Sequence, residues 1–210
     1  MKLNKFVAYT ILLLLFFPAA GFCQAWVKYD SIAQVKLKKN DLQGAIDEYT
    51  KALQADAGNT YLHGKRGDLR SKMNDYRGAI EDFTKVLERI QDATYYYQRG
   101  ICFYMLKSYT EALADFDATV KDMPDISYEL YFFRGNIKFK LQDVKGSIDE
   151  YTKSIEMRPG YAKAYYNRGV SKYFSDQKAE ACKDITKAKE LGFTDVDPMI
   201  KKYCDYYSTH

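Results

Sequence analysis

The strongest constraint on this chain is a phrase that returns five times at an interval of about 34 residues. Ala45-Ile46-Asp47-Glu48-Tyr49-Thr50-Lys51-Ala52 comes back from Ala79 to Val86, from Ala112 to Thr119, from Ser147 to Ser154 and from Ala181 to Ala188. Self-similarity at a fixed period requires a stack in which each unit buries its apolar face against its neighbours, with no single central core. Such a chain works by presenting an extended surface.

A second element precedes each phrase: Arg66-Gly67, Arg99-Gly100, Arg134-Gly135 and Arg168-Gly169, with Ala33 replacing the glycine in the first unit. Each of these small residues stands twelve before the alanine or serine that opens the phrase. That spacing suits two helices joined by a tight turn. Glycine inside a helix costs about 0.5–1 kcal/mol relative to alanine, so its recurrence implies that two helix axes pass too close for a Cβ. Tyr49, Phe83, Phe116 and Tyr151 then fill the space between units. An aromatic ring stands three residues into most units, at Tyr29, Tyr96, Tyr131 and Tyr165, with His63 in the second.

The order of aromatic, glycine, aromatic, alanine, aromatic, alanine and proline resembles the tetratricopeptide repeat family, over roughly residues 26 to 193. The closing proline is present as Pro124 and Pro159 and replaced by Ala57, Gln91 and Phe193. The resemblance, to an exported bacterial member of that family, implies an all-α fold. It would be an α-solenoid, a right-handed superhelix of five helix-turn-helix repeats at 26–59, 60–92, 93–127, 128–161 and 162–193. A capping helix would follow in 194–210.

Between the paired helices fall Asn40-Asp41, Asn74-Asp75, Lys107-Ser108, Gln142-Asp143 and Asp176-Gln177, polar residues able to cap the second helix. Leu191-Gly192 is a helix stop, and the stretch from about Val196 to Tyr207 is amphipathic, with Met199, Ile200 and Tyr203 on one face. It reads as the solvating end of the array. If this cap lies antiparallel to the helix before it, Cys182 and Cys204 come level, which predicts a disulfide closing a loop of about 22 residues and worth about 3 kcal/mol. Cys102 falls where Val35, Leu69 and Ile137 stand in other units and reads as a buried small hydrophobe.

Residues 1–23 have the form of a secretory signal peptide. Lys2 and Lys5 precede an apolar run from Phe6 to Phe17 and a small-residue exit from Pro18 to Cys23, and the run is too short for a stable membrane span. Cleavage there leaves 24–193 and the cap, and the formal charge falls from +4 to +2 with the two leader lysines. The alternative is a lipoprotein acylated at Cys23, although Phe22 stands where that processing takes a small side chain. Either route leads to the periplasm, cell envelope or medium. No run of like charge points to nucleic acid or an anionic membrane.

Adjacent acids such as Asp47-Glu48 and Asp149-Glu150 recur in register with the arginines, which suggests that each meets the arginine of the following unit as a structural ion pair. Two isolated histidines, and no Cys-x-x-Cys or phosphate loop, offer neither a metal site nor a cofactor site and give no support to an enzyme.

Family positions on the first helix of each unit imply a concave groove. Its lining would be Tyr97, Ile101, Tyr104, Met105, Phe132, Asn136, Phe139, Lys140, Tyr166, Val170, Tyr173 and Phe174 in the last three units. In the first two it would be Asp30, Gln34, Lys38, Asp68, Ser71 and Lys72. The aromatic half suits a protein or peptide ligand, with Asn136 holding its backbone by two hydrogen bonds. The competing arrangement has these rings packed on each other. The expected function is a non-enzymatic scaffold or adaptor of the cell envelope; the alternative is a glycan-binding accessory protein using the same rings.

Overall fold

In the structure, a computed structural model, residues 19–196 and 198–207 are described. Most of the expected leader, residues 1–18, lies outside them, as do Asp197 and 208–210. Among the described residues every regular element is a helix. The first repeat contains α1 (Ala19–Lys38) and α2 (Leu42–Ala55), and the second contains α3 (Thr60–Lys72) and α4 (Tyr76–Leu87). Next come α5 (Ala93–Met105), α6 (Tyr109–Asp122), α7 (Tyr128–Lys140), α8 (Val144–Met157), α9 (Ala162–Phe174), α10 (Lys178–Glu190) and the terminal α11 (Pro198–Tyr207). The chain forms two compact blocks, one ending at Cys102 and one starting at Phe103. Within the N-terminal block α1 packs on α2 and α3 on α4; within the C-terminal block α7 packs on α8 and α9 on α10. Helix α1 is described from Ala19, seven residues before Trp26.

The five turns inside the pairs share one construction. Asn40, Asn74, Lys107, Gln142 and Asp176 all take φ of 59–65°, and the residue after each donates its N–H five positions back, as Asp143 does to Lys138 O at 2.8 Å. This is the Schellman closure, here made with non-glycine residues in the left-handed region. Asp41, Asp75 and Asp143 at once begin the next helix, their carboxylates accepting from the N–H of Gly44, Gly78 and Gly146 at 2.8, 3.0 and 2.9 Å. Ser108 and Gln177 make no such bond. Where α10 ends, the left-handed position is Gly192, as its sequence suggested.

The recurrent glycines do what their spacing implied. A Cβ on Gly135 would stand 2.6 Å from Tyr151 Cε1, and one on Gly67 2.7 Å from Phe83 Cε1. Tyr49, Phe83, Phe116 and Tyr151 are buried, each such ring contributing roughly 1.5–3 kcal/mol. Cys102 is a free, buried thiol. Its counterparts Leu69 and Ile137 are buried too, whereas Val35 is 52% exposed among the described residues. The position faces the preceding repeat, and α1 is the first helix described.

The ion pairs differ from the sequence reading in partner and in burial. Arg66 forks onto Asp82 of its own repeat, Nε to Oδ2 at 2.9 Å and Nη2 to Oδ1 at 2.7 Å, and sends Nη1 to Thr50 Oγ1 of the preceding repeat at 3.1 Å. Arg168 repeats this with Asp184 and Thr152. Arg134 pairs with Glu150 at 3.1 Å and, in place of the threonine, with Asp117 at 2.8 Å. The arginine emerges from the first helix facing its own partner helix, so its main acid comes from its own repeat, and of these three only Arg134 also reaches an acid of the preceding one. Asp82 is 1% exposed, which makes the cluster a buried network and not a set of surface pairs.

Cys182 and Cys204 are joined, with Cα atoms 5.2 Å apart. The bond ties α11 to α10 in the way expected from the folding back of the cap. Ile200 of α11 is buried with Ile185, while the side chains of Met199 and Tyr203 lie outside those described.

Candidate peptide recess

In the C-terminal block, first helices α7 and α9 and the end of α5 turn several expected groove residues toward one recess of about 360 Å³. Tyr104, Asn136, Phe139, Lys140, Tyr166 and Val170 line it, together with Tyr151 and Asn167. Its floor is an amide and phenol network. Asn136 Oδ1 accepts from Tyr151 OH at 2.9 Å and from Asn167 Nδ2 at 2.8 Å, while Asn136 Nδ2 donates to Tyr104 OH at 3.1 Å. Burial pushes the Tyr151 phenol well above its ordinary range, and raises that of Tyr104 as well. Both stay neutral donors.

Asn136 is therefore already committed to the fold and is not available to grip a ligand by two bonds, as its sequence position suggested. What remains is one step further out. Tyr104 accepts from Asn136 and keeps its hydroxyl proton to donate, and Asn167 uses Nδ2 while Oδ1 receives no bond from another described residue. A donor and an acceptor thus line the same recess as Phe139 and Tyr166. Lys140 adds a cation at the rim with no carboxylate in ion-pair reach among the described residues.

Two family models match this chain, both described as tetratricopeptide repeat, over residues 65–125 and 128–161. These segments are tetratricopeptide repeats. The Photosystem I assembly protein Ycf3 of Acaryochloris marina (strain MBIC 11017) is 30% identical over 104 residues, covering 48% of this chain and 62% of that protein. The chain thus matches less than two thirds of that relative's length. MamA, as a crystal structure, is 26% identical, covering 76% of this chain and 94% of its own, with a TM-score of 0.72. A MamA from Desulfovibrio magneticus RS-1 is 21% identical over 80% of this chain and 95% of its own, TM-score 0.73. YrrB, a TPR protein with an unusual peptide-binding site, is 21% identical over 87% and 91%, TM-score 0.71. The solved structures share the fold of this chain, an all-helical α-solenoid.

The remaining expected groove residues of these tetratricopeptide repeats are distributed differently. Phe132 is held among Phe133, Tyr151 and Tyr161, with centroids 6.1, 5.9 and 5.1 Å away, and belongs to the packing. Burial raises the Tyr161 phenol to about 12. Tyr173 packs toward α11, and Phe174 and Met105 are exposed. Tyr97 is half-buried in the N-terminal block. There Ile101 lines a separate recess of about 240 Å³ with Asp68, Ser71, Lys72, Phe83 and Gln98. Gln34 donates to Tyr49 OH at 3.0 Å and Tyr61 OH reaches Asp30 at 3.5 Å, so the polar groove positions of the first repeat also serve the fold. Reading by position missed Tyr151 and Asn167. Tyr151 reads as a spacer from its place in the phrase, and Asn167 stands next to Tyr166, one position off the groove register.

Among the described residues no three His, Cys, Asp or Glu side chains gather as a metal site, and no helix is long and apolar enough to cross a membrane.

Proposed function

We propose that the protein is an exported, non-enzymatic scaffold that binds an extended peptide segment of a protein partner in the C-terminal recess. The observation that carries this is the unused pair on Tyr104 and Asn167, a hydroxyl donor and an amide acceptor that match the C=O and N–H of a peptide backbone. The rings of Phe139 and Tyr166 supply apolar anchors on either side. YrrB, of the same fold, has a peptide-binding site, which is consistent with such a use of the repeat. A sugar ligand is the weaker reading, because no carboxylate lines the recess to hold ring hydroxyls.

The leader-like residues 1–23 and the Cys182–Cys204 bond support export to the periplasm, cell envelope or medium, where disulfides persist. Acylation at Cys23 is the alternative route. Selection of a displayed peptide library on the full chain tests the binding reading: enriched peptides should lose roughly 1–2 kcal/mol of affinity on Tyr166→Ala and on Asn167→Ala. Enrichment that is indifferent to both changes would place the ligand elsewhere.

A further inference from the structure

The segment after the fifth repeat covers residues that would otherwise extend the recess. Phe193 stacks on Tyr166 with centroids 4.5 Å apart and planes 27° from parallel. Val196, Tyr166, Val170 and Tyr173 pack against the buried cluster of Ile185, Ile200 and Cys204. Tyr166 and Val170 also line the recess itself. Phe193 and Val196, in the non-helical stretch before α11, and Ile200 on α11 each pack toward the last repeat.

We infer that this C-terminal segment is an in-chain occupant of the fifth-repeat end of the recess, held there by a reducible latch, the Cys182–Cys204 disulfide. The consequence for ligand binding rests on the peptide reading above; the latch does not. Helix α11 packs on α10 through Ile200 and Ile185, and Lys189 Nζ and Asp205 Oδ1 lie 3.5 Å apart, a pair with both side chains exposed and worth little. The disulfide is the covalent tie among these contacts.

Opening needs a dithiol reductant. Cys204 is buried while Cys182 is half-buried, so the reductant's thiolate attacks Cys182 Sγ. The Sγ–Sγ bond breaks with its electron pair on Cys204 Sγ, which takes a proton. The second thiol of the reductant then resolves the mixed disulfide, leaving Cys182 as a thiol and the reductant as its own disulfide. Two electrons and two protons are transferred, and Cys102, fully buried, takes no part.

Hydrogen exchange and hydroxyl-radical footprinting of the full chain, oxidised or treated with dithiothreitol, test the latch. A Cys182→Ser/Cys204→Ser variant serves as a second form of the open state. Reduction should speed exchange in α11 on the order of 10²-fold, the loop-closure effect of a bond across 22 residues. Footprinting at Tyr166 and Tyr173 should rise while Phe139 and Tyr104 stay unchanged. Unchanged exchange in α11, or equal acceleration throughout α9 and α10, would overturn the proposal, the latter because the bond would then be a staple of the repeat. Neither readout involves a ligand, so failure of the peptide selection and failure of the latch are separate results.

Discussion

Arg134 reaches from the fourth repeat to Asp117 of the third, Nη2 to Oδ1 at 2.8 Å, at the position where Arg66 and Arg168 find Thr50 and Thr152. The same arginine thus serves two repeats. Within its own repeat it holds an acid on the second helix; across the boundary it ties neighbouring units together. Glu150, one methylene longer than Asp82 or Asp184, meets Arg134 through Nη2 and leaves its buried Nε without a partner, whereas Arg66 and Arg168 make both contacts of the fork.

Removing one acid from such a buried network strands its cations. Asp184→Ala, which leaves Arg168 and Lys172 uncompensated, should destabilise the C-terminal block by about 3–5 kcal/mol. Urea denaturation followed by circular dichroism reads the loss. Replacing Asp184 by leucine with Arg168 and Lys172 both changed to methionine should recover most of it; no recovery would mean that the bonds themselves, and not the stranded charge, carry the stability.

Gly135 lies against the buried ring of Tyr151, which is packed on all sides. Gly135→Ala should cost about 1–3 kcal/mol by overpacking Tyr151. Gly160→Ala, where a Cβ meets nothing within 4 Å, serves as the matched control and should stay within about 0.5 kcal/mol of wild type. Thermal melts of the two variants compare directly.

Lys107 and Gln142 occupy the left-handed region with φ of 61° and 65°. Glycine removes the Cβ strain there but adds freedom to the unfolded chain, so Gln142→Gly should gain roughly 0.5 kcal/mol net. Asn74→Gly should gain less, since asparagine tolerates this conformation. A denaturation midpoint that falls for Gln142→Gly would show the entropy term winning.

Burial holds the Asp68 carboxyl above its ordinary value of 3.8, against the opposing pull of Lys65, Lys72 and Gln98. A raised carboxyl pKa means that the folded state binds the proton more tightly than the unfolded chain. The folded protein is therefore penalised once pH rises above that window, and relieved below 3.8. Asp68→Asn should be more stable relative to wild type at pH 7 than at pH 3. Parallel stability curves across that range would remove the desolvation argument.

Much of the fold follows from local rules that a single repeat carries whole. The glycine at Gly135 and the ring at Tyr151 sit sixteen residues apart in the same unit, so the sequence shows both the close approach and what fills it. The turn at Gln142-Asp143 was legible only in part. Asp143 announces a cap, but the left-handed Gln142 is set by the Schellman closure, which any side chain can be made to enter when the helices on both sides hold it.

The recess was less legible because its chemistry is decided by who already holds whom. Sequence position placed Tyr104, Asn136, Phe139, Tyr166 and Val170 on one surface, and they share one recess. It could not show that Tyr151 and Asn167 consume Asn136, since hydrogen-bond saturation depends on contacts 15 and 31 residues away in the chain. Nor could it show that Phe132 is enclosed by Tyr151 and Tyr161.

By itself, then, the sequence determined the period, the helix pairs, the residues at each close approach and the cysteines that end level with each other, because these depend on contacts within one repeat or between one repeat and the next element. Only the tertiary structure decided which acid each arginine meets, which polar groups are spent on the fold, and that Phe193 lies on Tyr166. Those outcomes depend on side-chain direction and competition among partners, and the same repeat pattern allows more than one answer to each.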